Sequence, residues 1–568
     1  MDISRTSDES FLPKYYLNGT DQVTNAKVGR GVGQRDYWVF ENYLSYNDKF
    51  GDHTVSTMVG TSAEKERYET VNASKEGLVN NDANQQIINA ATKNPAASGS
   101  VSYHTMNSYF GRVFYSYADK YMITANIRWD GSSNFADKHR WGVFPSVSGG
   151  WNFREESFIK DVVGDWFSQG KFRAAWGEIG NQNISSGAYL TRYGNSTYYL
   201  LGNSMTPWLS GGRTNVGNPD LRWETTRQLD FGLDLAFFNS ALKFNIDYFD
   251  RKTSDMLVQV PMPAAIGLPN TPWSNAGSVK NRGFEFVLDY HGKIGNDFSY
   301  NFAGNISTYK NKVLSLGGGT NIPGKTHLGN QVNTMIEPGK PIGYFYGYKM
   351  DGVFQTQEEI NNYRGGPDNT IIMPTAEPGD LKFVDLNGDG KLGEEDRTMI
   401  GNPHPDFTFG LTLSGEYKGF DLSMFFQGSV GNDILNILKY DIYSGTGWYN
   451  APKDIFDKFW TGPGSTNENF AISANSRDNL TMSEWYIENG SYVRLKNVTL
   501  GYTFPKQWVQ KLTVQNLRLF VAAQNLFTIT SYSGLDPELG NSNPAFMGID
   551  MGWYPQARSF MVGLSLKL

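Results

Sequence analysis

Segments of about ten residues that alternate apolar and polar side chains recur along this chain, separated by turn residues, and the last one runs to the final residue. In Tyr121–Asp130, one face carries Tyr121, Ile123, Ala125, Ile127 and Trp129. The other carries Met122, Thr124, Asn126, Arg128 and Asp130. In Asp406–Ser414, Phe407, Phe409, Leu411 and Leu413 oppose Asp406, Thr408, Gly410, Thr412 and Ser414. After a turn at Lys418–Gly419, Phe420, Leu422, Met424 and Phe426 oppose Asp421, Ser423 and Gln427, so the two segments read as a hairpin. Two further runs read the same way: Leu229–Phe237 and Leu242–Tyr248, joined at Asn239–Ser240. So does Phe284–Tyr290. Period-2 alternation places every second side chain on one side of a strand, so each segment has one apolar and one polar face.

Soluble sandwiches and propellers also alternate, but their strands are shorter and their inner faces are packed with aliphatic residues. Here the polar face repeatedly carries Arg, Asp, Asn and Gln, which suits a water-filled lumen. The expected fold class is all-β: an antiparallel transmembrane β-barrel of about sixteen strands with long extracellular loops. Composition agrees. Aromatic residues make up 14% of the chain and glycine counts 62, yet mean hydropathy is −0.46. Alternation keeps mean hydropathy low while aromatic girdles raise the ring count. At the C-terminus, Phe560, Val562, Leu564, Leu566 and Leu568 alternate with Met561, Gly563, Ser565 and Lys567. An uncovered edge of that apolarity would aggregate in a soluble protein. An outer-membrane barrel strand accounts for it, although the usual last residue is aromatic and here it is Leu568.

Cysteine is absent, which excludes disulfides, thiolate metal sites and a cysteine nucleophile. The net charge of −7 comes without basic clusters, so no nucleic-acid partner is expected. No apolar run reaches the length of a membrane-spanning helix. The first residues, MDISRTSDESFLPKYYLNGT, lack the basic and apolar regions of a signal peptide.

Connections alternate between short and long. The short ones are Ala118–Lys120, Asn239–Ser240 and Lys418–Gly419. The expected long ones are Thr61–Ser100, Gly180–Asp220, Gln355–Pro405, Asn432–Asn489 and Thr530–Gln556. Short periplasmic turns and long extracellular loops are the rule for outer-membrane barrels. Within Thr61–Ser100, EGLVNNDANQQIINAAT is expected to form a short helix.

Several blocks resemble the SusC/RagA family of TonB-linked outer-membrane transporters. They are NPDLRWETTRQLDFGLDLAFF at Asn218–Phe238, TSDML at Thr253–Leu257 and NAGSVKNRGFEF at Asn275–Phe286. More specific are EPGKPIGYFYGYKMDGVFQ at Glu337–Gln355 and PGDLKFVDLNGDGKLGEEDRTMIGNPHPDFTFG at Pro378–Gly410. The ending YPQARSFMVGLSLKL at Tyr554–Leu568 agrees. The resemblance implies a 22-stranded TonB-dependent receptor barrel, of which residues 1–568 would be the C-terminal part. It also implies a plug domain and a TonB-contact segment, neither of which is seen in the sequence. The chain then reads as a fragment, a truncated product or half of a split transporter. Implied partners are a SusD-like surface lipoprotein, TonB–ExbB–ExbD through the N-terminal part, outer-membrane lipid, and a glycan or peptide nutrient. A siderophore or cobalamin receptor, and a non-transporting structural or adhesive barrel, are the alternative readings.

One loop has the spacing of a cation site. Calcium loops place oxygen ligands at positions 1, 3 and 5, a backbone carbonyl at 7 and a carboxylate at 12, with Gly at 6 for the sharp turn. Here these are Asp385, Asn387, Asp389, Lys391 and Asp396, with Gly390 at the turn. A structural Ca2+ in an extracellular loop is the expectation, against a metal-free turn built from the same residues. GTNIPGKT at Gly319–Thr326 fits the phosphate-loop pattern, but no helical pattern follows it, so it is read as a chance match. The six histidines (His53, His104, His139, His291, His327 and His404) have no metal-site spacing. No catalytic triad or carboxylate pair can be assembled, so the chain is not expected to be an enzyme. Trp208, Trp273, Trp448, Tyr449, Trp485, Tyr486, Trp553 and Tyr554 are loop aromatics suited to sugar stacking, and more commonly to packing or a girdle.

Overall fold

Alternating segments pair with their sequence neighbours. In the computed structural model this gives one sheet whose strands follow one another in chain order. The structure describes residues 1–568 except 20, 202–205, 260–270, 318–320, 326–330, 444–449, 473–477, 510–513, 542 and 568. Among the described residues the sheet holds sixteen strands. They are β1 (Asp2–Leu12), β2 (Ala26–Phe50), β3 (His53–Leu78), β4 (Lys93–Tyr117), β5 (Tyr121–Ser132), β6 (Trp141–Trp151), β7 (Phe167–Asn181) and β8 (Glu224–Phe237). There follow β9 (Leu242–Ser254), β10 (Ser278–Ile294), β11 (Phe298–Ser315), β12 (Phe407–Tyr417), β13 (Phe420–Val430), β14 (Tyr492–Thr503), β15 (Asn516–Thr530) and β16 (Ser559–Lys567). The expected all-β antiparallel architecture and strand number are both found. No described helix is long and apolar enough to cross a membrane.

The tight turns are set by left-handed residues. Lys418 (φ 48°) and Gly419 (φ 90°) close β12 onto β13 with Tyr417 opposite Phe420. Ala118 and Asp119 do the same between β4 and β5, and Phe238, Asn239 and Ser240 between β8 and β9. Positive φ at successive turn residues matches the twist of the strands that follow. At the other end of the strands lie the long connections, including 182–223, 255–277, 316–406, 431–491 and 531–558.

The expected loop Thr61–Ser100 is a misreading. β3 and β4 continue through most of it, pairing from His53↔Tyr117 to Glu76↔Lys93. The expected helix there is two single 3-10 turns, Ala83–Gln85 and Ile88–Ala90. The physical reason is that this stretch has polar side chains on both faces, so it carries no hydropathy period. It is held by the backbone ladder and by charges: Arg35 to Glu66 at 2.7 Å, Arg67 to Asp36 at 3.4 Å and to Glu69 at 2.5 Å.

The chain forms two compact units. The first comprises Met1–Gly149, Trp176–Arg227 and Asp255–Ala276. Its main apolar cluster is Phe135, Ile184, Ala188, Leu221, Trp223 and Leu257, with Trp223 lying 5.2 Å from Phe135 and 5.3 Å from Phe144 between ring centroids. The second comprises Gly150–Ala175, Gln228–Ser254 and Gly277–Leu568, and holds the largest core cluster among the described residues.

Candidate functional site: a polar wall and a folded loop cluster

The apolar faces read from sequence are the exposed ones. Ile123, Ile127 and Trp129 of β5, Phe284 of β10, Ile306 of β11 and Leu564 of β16 are all open. Exposed apolar side chains recurring on these strands are the signature of a lipid-facing wall. The opposite faces carry paired charges. In the first unit, Arg128 binds Asp130 through Nε at 2.7 Å and donates to Ser108 Oγ at 2.8 Å. In the second unit, Arg173 donates to both carboxylate oxygens of Asp234 at 2.8 Å and reaches Asp247 at 2.8 Å. Asn245 also donates to Asp234, and Arg518 grips Asp421 with two bonds. These bidentate pairs fix side-chain direction while leaving acceptor and donor capacity for a polar ligand.

In the second unit, the loops 316–406, 431–491 and 531–558 fold upon one another. Phe345, Phe354, Leu381, Phe383, Leu435, Met482, Trp485, Tyr486 and Ile549 form one buried cluster drawn from all three. Leu435 pairs in parallel with Ile549. Val353 N–H donates to Asn467 Oδ1 at 2.9 Å, and Leu381 N–H to Asn479 Oδ1 at 2.7 Å. The cluster rests on the polar face of β11: Ile342 N–H donates to Asn311 Oδ1 at 2.8 Å, and Tyr309 lies 3.2 Å from His404 Nδ1. Ion pairs inside the cluster are largely buried. Arg494 is 3% exposed and donates to Asp536, Glu538 and Thr528 at 2.5, 2.6 and 2.7 Å. Burial would raise the Asp536 carboxyl, but Arg494 and the amides of Gln556 and Glu538 hold it below the usual range. Burial likewise opposes Glu488, which Lys439 at 2.9 Å and Ser533 keep low. His404, buried with Nε2 at 2.9 Å from the Ile342 carbonyl, is pushed below its ordinary value by desolvation.

The Asp385–Asp396 loop lies within this cluster. Asp396 is fully buried and accepts from Leu386 and Asn387 N–H through Oδ1 and from Gly393 N–H through Oδ2. Asp385 accepts from Gly388 at 2.7 Å and Gly390 at 2.8 Å. Asn387 accepts from Asp389 N–H, and Asp389 from Lys391 N–H, both at 2.9 Å. Gly390 has φ 84°, and a Cβ there would strike the Gly365 carbonyl, so the glycine is required by the turn. Backbone hydrogen bonding therefore accounts for every predicted ligand side chain. Among the described residues no three histidine or acidic groups converge as a metal site.

The loop aromatics divide. Trp485 and Tyr486 are core residues, with Trp485 5.0 Å from Phe470 and 4.9 Å from Tyr486 between centroids. Trp273 packs against the first unit's cluster. Tyr554 is 90% exposed and Trp553 half-exposed. Trp448, Tyr449, His327 and the Trp208 side chain lie outside the described residues, as do Leu568 and part of Gly319–Thr326. The described part of that last motif, Ile322–Lys325, is a strand pairing with Val332–Ile336, not a turn into a helix.

The blocks that carried the family resemblance hold loops to strands. Asn275 Oδ1 accepts from Arg222 N–H at 2.8 Å, and its Nδ2 donates to the carbonyls of Arg222 and Asp255, both at 2.8 Å. Arg222 meets Asp255 at 2.7 Å, and Asn218 donates to the Trp273 carbonyl at 3.1 Å. NPDLRWE, TSDML and NAG are thus three sides of one clasp. In the Glu337–Gln355 block, Tyr344 O–H donates to Glu337 Oε2 at 2.5 Å, and Tyr344, Phe345, Val353 and Phe354 are buried. Sequence reading missed the three-loop core, because its members are spread over loops whose own hydropathy has no period.

An antiparallel sheet with one exposed apolar face and one charged face has the character of a transmembrane barrel wall, and the family places it in the bacterial outer membrane. The chain belongs to the family described as TonB dependent receptor-like, beta-barrel, whose profile matches residues 3–526. It is 35% identical over 573 residues to TonB-dependent receptor P3 of Formosa agariphila, covering 97% of this chain and 55% of that one. It is 31% identical over 539 residues to TonB-dependent receptor SusC of Bacteroides thetaiotaomicron, covering 92% of this chain and 49% of that one. The structure of the RagAB peptide transporter superposes with a TM-score of 0.82 at 22% identity, over 99% of this chain and 58% of that chain. The SusC/RagA resemblance is therefore borne out. The chain spans about half the length of the curated relatives it matches.

Proposed function

We propose that this chain forms the barrel and loop part of an outer-membrane importer of oligomeric nutrients, oligosaccharide or peptide. In this reading TonB–ExbB–ExbD supplies the energy and a SusD-like surface lipoprotein closes over the loops. The observation that carries it is the pairing of a charged, hydrogen-bonding wall face with a rigid loop cluster standing on that face. Such a surface offers many fixed polar contacts to a large polar ligand. The family is one of transporters. The name RagAB peptide transporter belongs to a structure 22% identical to this chain and the name SusC to a relative; the oligosaccharide reading comes from the family resemblance.

The test is purification of the receptor from native outer membranes in mild detergent, with intact masses of all co-purifying chains. Uptake of glycans and of peptides by a strain lacking the gene is measured alongside. Co-purification of a lipoprotein and loss of one nutrient class support the proposal. Unchanged uptake of both, without a lipoprotein, overturns it. The Asp385–Asp396 loop is proposed as a secondary, structural cation site: calcium should raise its protease resistance, and indifference to calcium and chelator sinks that reading.

A further inference from the structure

On the outer face of β9, β10 and β11, a row of cations sits directly beyond the lipid-facing aromatics. Along these strands Tyr248, Phe284 and Thr308 lie side by side in register. Phe284 is exposed, and Phe286 and Ile306 continue the apolar face below it. Two residues further toward the long-loop end, about 7 Å along the strands, the register places Asp250 opposite Arg282 and Arg282 opposite Lys310. The next row places Lys252 opposite Lys280 and Lys280 opposite Lys312. Five cations thus share this face with Asp250, and Asp406 stands at its rim. Five positive against two negative leaves a net charge of +3.

Like charges directly opposite in a ladder destabilise it. Here three such pairs occur together: Arg282–Lys310, Lys252–Lys280 and Lys280–Lys312. The polar faces of the same wall pair their charges with opposite signs, as Arg173 does with Asp234 and Asp247. On the outer row, Lys280 meets Asp250 at 2.7 Å, and no other ion pair is formed by these cations among the described residues. Arg282, Lys310 and Lys312 are exposed. A cleft of about 330 Å³ opens beside Arg282 and Lys310, which line it together with Tyr248, Phe284, Thr308 and Asp406. One wall of the cleft is aromatic and the opposite one cationic.

We infer that this cleft binds the phosphate-bearing headgroup of an outer-leaflet lipid. An acyl chain lying on Phe284, Phe286 and Ile306 would bring its headgroup to the height of Arg282 and Lys310, where aromatic and basic anchors belong. The phosphate would sit between like charges and relieve their repulsion. Each cation near an anionic lipid surface adds about 1 kcal/mol of attraction. The inference does not depend on which nutrient the receptor carries.

The test uses the full-length receptor and native mass spectrometry with bisphosphorylated lipid A, the same lipid after dephosphorylation, and inorganic phosphate as competitor. The double variant Arg282→Gln/Lys310→Gln should retain bisphosphorylated lipid A about thirtyfold less well. It should not differ from the parent with the dephosphorylated lipid. Its unfolding temperature in lipid-free detergent should be unchanged or higher, because a like-charge pair has been removed. Asp250→Asn, which removes a carboxylate from the row, should retain the lipid better than the parent. Lys293→Gln/Lys418→Gln, at the short-turn end, should leave retention unchanged. Equal retention by parent and Arg282→Gln/Lys310→Gln, or equal retention of the dephosphorylated lipid, overturns the site. Displacement by inorganic phosphate alone shows an anion site that does not read lipid, and overturns the commitment to a headgroup.

Discussion

The hairpin β12–β13 and the loops that flank it use the same kinds of side chain in opposite ways. Phe407, Phe409, Leu411 and Leu413 of the hairpin point to lipid, so their neighbours are acyl chains and the adjacent strands. Phe345, Phe354, Phe383 and Trp485 of the loops are buried against one another in the manner of a soluble domain. The wall is specified by its backbone ladder and by alternation, and is tolerant in detail. The loop cluster is specified by shape, and has little tolerance. Water is the solvent on one side of this comparison and lipid on the other, and lipid exerts little hydrophobic force between apolar side chains.

Four experiments sharpen or break that contrast. Phe354→Ala should cost the loop cluster about 3–5 kcal/mol, seen as new protease cleavage within 316–406. The matched change Phe286→Ala on the lipid face should cost about 1 kcal/mol or less; similar costs at both positions would remove the distinction. Ile306→Arg on the lipid face should destabilise the wall by about 2–4 kcal/mol, read as a lower unfolding midpoint in bilayers. Its neighbour Asn305→Arg, on the polar face, should be near neutral. Asp396→Ala removes a buried acceptor of three backbone N–H groups, and should cost about 2–3 kcal/mol without calcium, and more with it where the carboxylate is also a cation ligand. Hydrogen exchange at Leu386, Asn387 and Gly393 would report it.

The smallest effect is on pH. His404 is held below its ordinary value of 6.5, so the unfolded loop binds more protons than the folded one as pH falls. Cluster stability should therefore decline from about pH 6.5 downward. The carboxylates of Glu488 and Asp536, also depressed, add a further loss below the ordinary carboxylate range. His404→Gln should remove the upper part of this decline; an unaltered profile would assign it elsewhere.

The hairpin's strand starts and turn were legible from sequence to within a residue, though each strand runs three residues past the alternation read for it, because one of its faces must be apolar and the turn at Lys418–Gly419 needs left-handed residues. The stretch Thr61–Ser100 was not, because β3 and β4 run beyond the apolar band with water on both faces. Cross-strand partners such as Tyr37 and Glu64, 2.8 Å apart, replace hydropathy there, and pairing between distant residues leaves no periodic trace. Spacing alone put oxygen ligands at Asp385, Asn387, Asp389 and Asp396. The geometry shows that the same spacing also suits a loop that closes on its own amides. The family blocks were legible as strings, while their roles as a clasp around Asn275 became visible only once three segments met.

The loop cluster draws Phe345, Leu435, Trp485 and Ile549 from connections interrupted by β12, β13, β14 and β15. No one of these connections contains the whole core, so the cluster cannot condense until the last of the four strands has been laid down. On that order each loop is expected to cross the membrane as an open chain. Rigidity arrives late, as a signal that the hairpins beneath have been delivered in the right order. Pulse-labelled exchange during assembly should show β12–β13 protected before Phe345 and Leu435. The reverse order would mean that the loops fold first and must be threaded whole. On this ordering a strand omitted or misplaced would leave the cluster unformed and open to proteases.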